Sequence, residues 1–528
     1  MFIRLDQYKT RGRILLPILL LMLWPAAVHP AAQRLEAGKP VLREMTGGET
    51  HKYVVSLEPN QYLQIAADQK GIDIVIKLID PAGKVQVEMD SPNNTQGPEI
   101  ASLIAGQQGN YLIEIESLIK TAPKAQYELL IDSIRTATEQ DRKWIEGQTT
   151  YLEGQRLQSE EKADSRRRAI LQFQAAALIW RTLGDQVMEA HALSYVAAVC
   201  RDLGQLKRAL ESYDEALKLQ LTGPARREAT YTLLSTGRVY YEMGEPQKAL
   251  ELYGRALLQQ REMHDLYAEA ETLGDMGLAF FSMGEVRLAL EHFNNSLAFW
   301  SRNKIRFREA ETLNNIGNGY RAIGDSQQAM EKFISSLAIY RSLKAREGEA
   351  EELNNIGHVN SLLGEWQKAL DYYKQALILW RASGDRRREA IVLSNIGLAY
   401  ASLKDAKKAF ENYEESLKYH REVGNQQFEA ATLEYAGDLL ASSGEFTKAL
   451  NSYDSSLTIR RTLGIRLGEA STLAGIGFLY KKLNEPGKSL ENLNQSLDLS
   501  REIGDRRGEA RALYGIAWFT TFEQFLRQ

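Results

Sequence analysis

The chain has 528 residues, of which 44% are hydrophobic and 25% charged, a composition typical of a folded protein with several domains. Its formal net charge of -4 gives no global attraction to nucleic acid or to an anionic membrane. The single cysteine, Cys200, excludes an intramolecular disulfide and a cysteine metal cluster.

The first 32 residues have the order of a secretory signal. Basic residues up to Arg13 precede an apolar run from Ile14 to Trp24, and small residues follow as far as Ala32. The run is about half as long as a helix that spans a bilayer. We therefore expect residues 1–32 to be a signal peptide, cleaved on export to the periplasm or to the outside of a cell. A retained N-terminal membrane anchor is the alternative that stays open.

Residues 36–134 are predicted to form strands. Short apolar runs are separated by turns, such as Asp80-Pro81-Ala82-Gly83. Tyr111, Ile113 and Ile115 alternate with residues of the opposite strand face. Several short strands of this kind, joined by Gly, Pro and Asn turns, predict a small antiparallel β-sandwich.

The motifs of this segment resemble a known accessory domain. Gly48-Glu49-Thr50-His51-Lys52-Tyr53, Gly71-Ile72-Asp73-Ile74-Val75 and Gly109-Asn110-Tyr111 are similar to those of the bacterial pre-peptidase C-terminal domain. The resemblance implies an accessory module of an exported protein. Three aspartates of the segment are candidates for a calcium site: Asp73, Asp80 and Asp90. Their spacing fits no oxygen-ligand loop, so we interpret them as turn and strand-edge residues.

A block of 40 residues then recurs without insertion from about residue 193 to residue 517. Its glycine, for example, recurs at Gly237, Gly277, Gly317, Gly357, Gly397, Gly437 and Gly477. A fixed period of this size marks a stack of identical supersecondary units. Such a stack offers a long surface, which favours the binding of partners over chemistry.

The block around Gly317 predicts a helix hairpin. Leu313, Gly317 and Tyr320 lie on one face of a first helix, and Gly324-Asp325 ends it. Ala329 and Phe333 belong to the apolar face of a second helix. Small residues let the two helices approach, and the aromatic ring fills the remaining space. In the following repeats these packing roles fall to Gly357, Ala369, Tyr373 and Gly397.

These positions resemble the tetratricopeptide repeat, in its long variety with Leu-Asn-Asn-Ile-Gly at 313–317. The resemblance implies a mostly α fold, a right-handed superhelix of helix hairpins preceded by the β-sandwich. We assign eight repeats to 183–505, a degenerate first helix pair to 139–182 and an incomplete terminal repeat to 506–528. The usual repeat has about 34 residues, and we expect the additional residues near 341–350 to lengthen the helices.

The resemblance also implies that the first helices line a concave groove. Asn315, Asn355 and Asn395 occupy one position of three consecutive repeats, where relatives often bond the backbone of a bound peptide. An amide both donates and accepts, so these residues could form a ladder along an extended peptide. The alternative is that they bridge neighbouring helices or are tolerated near solvent. Other candidates for the groove are Asn314, Asn318, Arg321, Asn354 and His358.

No motif for chemistry is found in the sequence. The seven histidines have no metal-binding spacing, and there is no phosphate-binding loop, dinucleotide fingerprint or nucleophile elbow. We expect no metal, no cofactor and no enzyme activity. Cys200 falls on a packing position of the repeat. The arginine clusters at 166–168, 386–388 and 506–507 lie beside acids, which favours local ion pairs over nucleic-acid binding.

The order of the parts resembles the non-catalytic front of bacterial CHAT-domain proteins, which end in a caspase-like peptidase, and the likeness stops after Ala517. Our leading hypothesis is an exported, non-enzymatic scaffold that binds peptide segments of an unknown protein in the groove. The alternative is the recognition half of a CHAT peptidase system whose catalytic domain is missing or encoded separately. A third and weaker hypothesis is a secreted hydrolase that acts through the β-sandwich.

Overall fold

The computed structural model describes residues 32–90, 96–120, 122–160, 162–222 and 228–526. Of the predicted signal peptide, only Ala32 falls inside these ranges, so that prediction lies outside the described residues. Within them, nine strands are followed by nineteen helices. Among these residues, no helix has the length and hydropathy needed to cross a membrane.

The nine strands form two sheets. Their bounds are β1 Gln33–Arg34, β2 Val41–Met45, β3 Thr50–Leu57, β4 Gln61–Lys70, β5 Ile74–Ile79, β6 Val85–Met89, β7 Gln96–Ile104, β8 Gly109–Ser117 and β9 Ala125–Thr136. One sheet has the order β1-β3-β8-β5-β6 and the other β2-β9-β4-β7. The pairing is antiparallel, as expected, except between β1 and β3, which are parallel. Residues from both sheets, such as Ile65 and Ile113, share one buried core.

The helices follow in an uninterrupted series. Their bounds are α1 Glu139–Gln158, α2 Ala163–Leu183, α3 Gln186–Asp202, α4 Leu206–Thr222, α5 Ala229–Glu242, α6 Pro246–Glu262, α7 Leu266–Ser282, α8 Val286–Arg302, α9 Arg306–Ala322, α10 Ser326–Leu343, α11 Arg346–Leu362, α12 Trp366–Ser383, α13 Arg386–Ser402, α14 Ala406–Glu422, α15 Gln426–Ser442, α16 Phe446–Thr462, α17 Arg466–Lys482, α18 Pro486–Glu502 and α19 Arg506–Leu526. Each helix packs against its neighbours in the chain. The predicted, mostly α solenoid behind a β-rich segment is therefore confirmed.

The additional residues of the long repeat lengthen the helices, as expected. Most helices from α3 onward have 17 residues and are joined by turns of three. At one such turn Gly324 has a φ of 85°, and the Asp325 carboxylate accepts from the Gln328 N–H at 3.0 Å. The glycine ends α9 in the left-handed region and the aspartate caps α10.

The first helix of each pair lies on the concave side of the stack. From α3 to α19 the odd-numbered helices are these first helices, and we call them the inner helices; the even-numbered ones from α4 are the outer helices. Most consecutive inner helices approach one another more closely than consecutive outer helices do. The stack therefore curves toward the inner helices, and their exposed faces form the groove.

From α5–α6 to α17–α18, each hairpin closes on a contact between a glycine and a large side chain. A Cβ atom built on Gly317 would lie 2.6 Å from Cε1 of Phe333, closer than real Cβ atoms approach a carbon. Equivalent contacts join Gly237 to Tyr253, Gly277 to Phe293, Gly357 to Tyr373, Gly397 to Tyr413, Gly437 to Tyr453 and Gly477 to Leu493. Packing, and not backbone conformation, therefore requires the glycine, because these positions are helical and have no unusual φ.

A serine of the outer helix adds a hydrogen bond to this packing. The Ser336 hydroxyl donates to the carbonyl oxygen of Ala310 at 2.9 Å, and its oxygen lies 2.8 Å from the Glu352 carboxyl group. The same serine-to-carbonyl bond recurs from Ser296, Ser416, Ser456 and Ser496. The sequence identifies these serines only as small residues. Their hydroxyl groups also form hydrogen bonds from the outer helix to the backbone of its inner helix.

The β-sandwich is packed against the start of the solenoid. The Gln148 side chain of α1 exchanges two hydrogen bonds of 2.8 Å with the backbone of Ser102 in β7. Gln155 Nε2 and the Tyr195 hydroxyl both donate to the Asp90 carbonyl oxygen. The buried core runs without a break from the sheets into α1 to α5. The two parts of the chain thus share one hydrophobic interior.

Gly317→Ala should destabilise the array because its Cβ must displace the buried Phe333 ring. Overpacking of this kind costs about 1–3 kcal/mol. Gly254→Ala is the matched control, since Gly254 lies on an outer helix with nothing within 4 Å of the new Cβ. That change should stabilise by up to about 1 kcal/mol through helix propensity. Urea unfolding followed by circular dichroism measures both; equal midpoints for the two variants would contradict the packing role.

Candidate peptide-binding groove

The amides of three inner helices are joined to one another across the groove. Asn355 Nδ2 donates to Asn314 Oδ1 at 3.3 Å, from α11 to α9. Asn395 Nδ2 donates to Asn354 Oδ1 at 2.9 Å, from α13 to α11. The sequence left open whether these asparagines bridge neighbouring helices. The side-chain N–H groups of Asn355 and Asn395 do so. A hydrogen bond of this kind contributes about 0.5–1.5 kcal/mol to stability.

Bridging leaves part of each amide unused. The bonds to Asn314 and Asn354 use the side-chain nitrogens of Asn355 and Asn395 and not their Oδ1 atoms. The Asn315 side chain makes no hydrogen bond to any residue that the structure describes. All three side chains are half-buried. At one height along α9, α11 and α13 the groove therefore offers carbonyl oxygens that can accept from a peptide N–H.

A cation without a carboxylate partner lies beside these amides. Arg321 donates through Nη2 to Asn318 Oδ1 and through Nη1 to His358 Nδ1, both at 3.0 Å. Asn318 Nδ2 in turn donates to Asn314 Oδ1 at 2.8 Å. Both groups that Arg321 contacts are uncharged, and its Nε is buried with no partner among the described residues. The guanidinium thus keeps an unneutralised charge at the groove.

Two other arginines of the inner helices are neutralised. Arg238 contacts Asp275 at 2.6 Å, and Arg308 contacts Glu271 at 2.6 Å and Glu311 at 3.1 Å. The pairs with Asp275 and Glu271 join consecutive inner helices and so stabilise the groove. Arg321 differs from these two arginines because its side-chain contacts are uncharged.

Burial lowers the pKa values of both members of the Arg321–His358 contact. Loss of hydration lowers the pKa of His358, and the positive charge of Arg321 lowers it further. Loss of hydration likewise lowers the pKa of the Arg321 guanidinium, which stays charged at neutral pH. His358 is therefore neutral at pH 7. Since its Nδ1 accepts from Arg321, we assign the ring proton to Nε2.

A row of carboxylates on α7, α9 and α11 was not identified from the sequence. Glu271, Glu311 and Glu351 are spaced by 40 residues, which is the signal that could have revealed them. Arg388 contacts Glu351 at 3.5 Å across to the neighbouring helix, so the prediction of purely local ion pairs for 386–388 was wrong for this residue. Arg386 does pair locally, with Glu389 at 2.6 Å.

The β-sandwich covers the beginning of the groove. On α3 the position of the carboxylate row is held by His191, whose side chain is 1% exposed and whose Nε2 lies 2.5 Å from Glu228 Oε2. A Cβ built on Gly97 of β7 would meet the Glu228 side chain at 2.5 Å. The equivalent Glu271 of α7 is 10% exposed and Glu311 of α9 is 25% exposed. The groove therefore opens toward α9, where the amides lie.

The other aspartates and the cysteine considered in the sequence occupy turn, strand-end and buried positions. Asp80 accepts from the backbone N–H groups of Ala82 and Lys84 at 2.9 Å and closes the predicted turn. Burial raises the pKa of Asp90 to about 7, and no group of three side chains suited to a metal occurs in the described ranges. Cys200 is fully buried and burial raises the pKa of its thiol, which disfavours the reactive thiolate.

Arg321→Gln should raise the pKa of His358 toward, but not up to, its ordinary value of 6.5, because the charge is removed while burial remains. In the native chain the depressed pKa makes the unfolded state bind the proton more readily, so stability falls as pH falls below 6.5. Titration by NMR measures the pKa. Arg341→Gln, which removes an ion pair with Glu349 elsewhere, is the control. An unchanged pKa in Arg321→Gln would contradict the assigned contact.

The repeat region matches a family model, and the chain is similar to several solved structures. The tetratricopeptide repeat model matches residues 188–262, 268–342, 349–422, 388–462 and 428–502, more than half of the chain. Similar solved structures include a Rap protein complexed with competence and sporulation factor (14% identity, 68% of this chain and 99% of that chain covered, TM-score 0.47) and the apo quorum sensor NprR from B. thuringiensis (14%, 65% and 98%, TM-score 0.48). No curated protein matches this chain. By its helix hairpins and the extent of the repeat match, the chain belongs to the tetratricopeptide repeat family.

Proposed function

We propose that this chain is an exported, non-enzymatic scaffold that binds an extended segment of a partner protein across α9, α11 and α13. The observation that carries the proposal is the set of half-buried amides at Asn315, Asn355 and Asn395, with oxygens that the fold leaves unused. A repeat stack with an open inner face is suited to such binding.

The spacing of the amides suits an extended chain. Packed helices are about 8–10 Å apart, and an extended strand rises about 3.3 Å per residue. Neighbouring amides are then about three residues apart along the bound segment. Each Oδ1 accepts from one backbone N–H, so binding depends on the main chain of the partner more than on its sequence.

Arg321 adds a preference for an acidic group. The guanidinium is half-buried and its contacts Asn318 and His358 leave its charge uncompensated. A carboxylate of the partner that reaches Arg321 would form a charge-assisted hydrogen bond, which is stronger than a neutral one. We therefore expect the bound segment to carry Asp, Glu or a chain terminus beside the amides.

Changing Asn315, Asn355 and Asn395 together to alanine should abolish binding of a partner segment captured with the full chain. Loss of three hydrogen bonds of about 1 kcal/mol each weakens binding about 100-fold. The control is the triple change of Asn294, Asn412 and Asn492 to alanine, because these outer-helix amides bond only to carbonyls of their own helices. Fluorescence anisotropy measures affinity, and circular dichroism should stay unchanged. Full affinity in the first variant would sink the proposal.

Export rests on residues 1–32. Fused to alkaline phosphatase, which is active only after export, this segment should give enzyme activity, and replacement of Leu19, Leu20 and Leu21 by Asp should abolish it because the apolar run is broken. Equal activity of the two fusions would contradict export. The CHAT alternative makes a separate prediction, that the partner captured by the chain is a caspase-like peptidase.

A further inference from the structure

One position near the end of the inner helices carries an aromatic ring in most repeats. It lies three residues after the packing glycine. The rings are Tyr240, Phe280, Tyr320, Tyr400 and Tyr480. The exceptions from α3 to α17 are Cys200, Asn360 and Leu440. The position is therefore one that the hairpin normally fills with a ring.

The ring is held between two outer helices. The Tyr400 ring lies under Lys374 of α12 and Lys408 of α14, whose Nζ atoms are 5.4 Å and 5.3 Å from the ring centroid. Lys248 and Lys488 lie at 5.2 Å from the rings of Tyr240 and Tyr480. A cation at this distance from an aromatic face is attracted to it.

In the repeat that carries Leu440, no aromatic ring occupies the corresponding place. A cavity of about 580 Å³ lies between α14, α15 and α16, and its lining includes Leu440, Glu414 and Lys448. By the 40-residue period, Glu414 corresponds to Lys374 and Lys448 to Lys408. The cavity thus occupies the space that the ring fills one repeat earlier. Phe410 and Leu417 provide apolar walls.

Leu440 and Lys448 line the vacant place without filling it. Leu440 is 6% exposed and packs into the buried core with Tyr453 and Leu457. Lys448 contacts Glu445 at 2.5 Å, just as Lys408 contacts Asp405 at 2.6 Å. Lys448 is thus held beside the cavity by Glu445, at the start of its own helix. It has no ring to cover, unlike the equivalent Lys408.

We propose that the side chain of a tyrosine from a partner protein inserts into this cavity, between Glu414 and Lys448. The chain itself shows that a phenol ring fits this place, at Tyr400 and at Tyr480. A carboxylate replaces Lys374 here, and it can accept a hydrogen bond from a phenol O–H. A volume of this size is typical of binding pockets and leaves room for the flanking backbone of the tyrosine. The site lies on the outer surface and does not depend on the groove.

The test uses the full chain and the capped tripeptide acetyl-Gly-Tyr-Gly-amide, followed by NMR. We expect saturable binding at one site, at least tenfold tighter than that of acetyl-Gly-Leu-Gly-amide. Leu440→Tyr should abolish it, because the chain then fills its own cavity, and Tyr400→Leu should add a second site between Lys374 and Lys408. Unfolding midpoints identify variants that are not folded. Tyr480→Leu, like Tyr400→Leu, should add a second binding site.

Three results would overturn the proposal. The first is the absence of saturable binding of the tyrosine peptide to the native chain. The second is unchanged binding in Leu440→Tyr with a native unfolding midpoint. The third is p-cresol binding as tightly as the peptide, which would identify a free phenol, and not a tyrosine of a partner, as the occupant.

Discussion

The contact between the repeat glycine and the large side chain of the outer helix sets the geometry of the hairpins from α5 to α18. At Gly317 and Phe333, as in the neighbouring hairpins, there is no room for even a Cβ atom between the two helices. The contact therefore fixes the distance and the rotation of the inner helix against the outer one. Asn315 lies two residues before this glycine and Tyr320 three residues after it. Both positions consequently recur with the same orientation in every repeat, and the amides of α9, α11 and α13 come into line.

Weaker contacts propagate this geometry from one repeat to the next. Arg341 at the end of α10 contacts Glu349 at the start of α11 at 2.8 Å, and the same pair recurs in most repeats. Exposed pairs of this kind contribute at most about 1 kcal/mol each. The stability of the stack is then the sum of many similar contributions from contacts between neighbouring repeats. The β-sandwich adds a different kind of contact, since it shares its core with α1 to α5 and leaves the open groove to the later inner helices.

The period made the hairpin predictable, but not the contacts between repeats. Leucine, glycine and aromatic spacing is enough to place Gly317 against Phe333, because both lie within one unit. The bond from Asn355 to Asn314 and the ion pair of Arg388 with Glu351 depend on how neighbouring units are rotated, which spacing alone leaves undetermined. Gly97 of β7 packs over the Glu228 side chain. This contact joins two domains whose sequences share no repeated pattern, so spacing could not predict it. Leu440 breaks the aromatic series just as Asn360 does, so the cavity beside it could only be found from the packing.

Site-specific photo-crosslinking can show whether a partner segment lies across the amides of the inner helices. Leu362 is 57% exposed and lies one turn after His358 on the same face of α11. Gln375 is exposed on the outer helix α12 and serves as the control. With p-benzoylphenylalanine at either position, we expect the captured partner to be crosslinked from position 362 and not from 375. Crosslinking from 375 alone would contradict it.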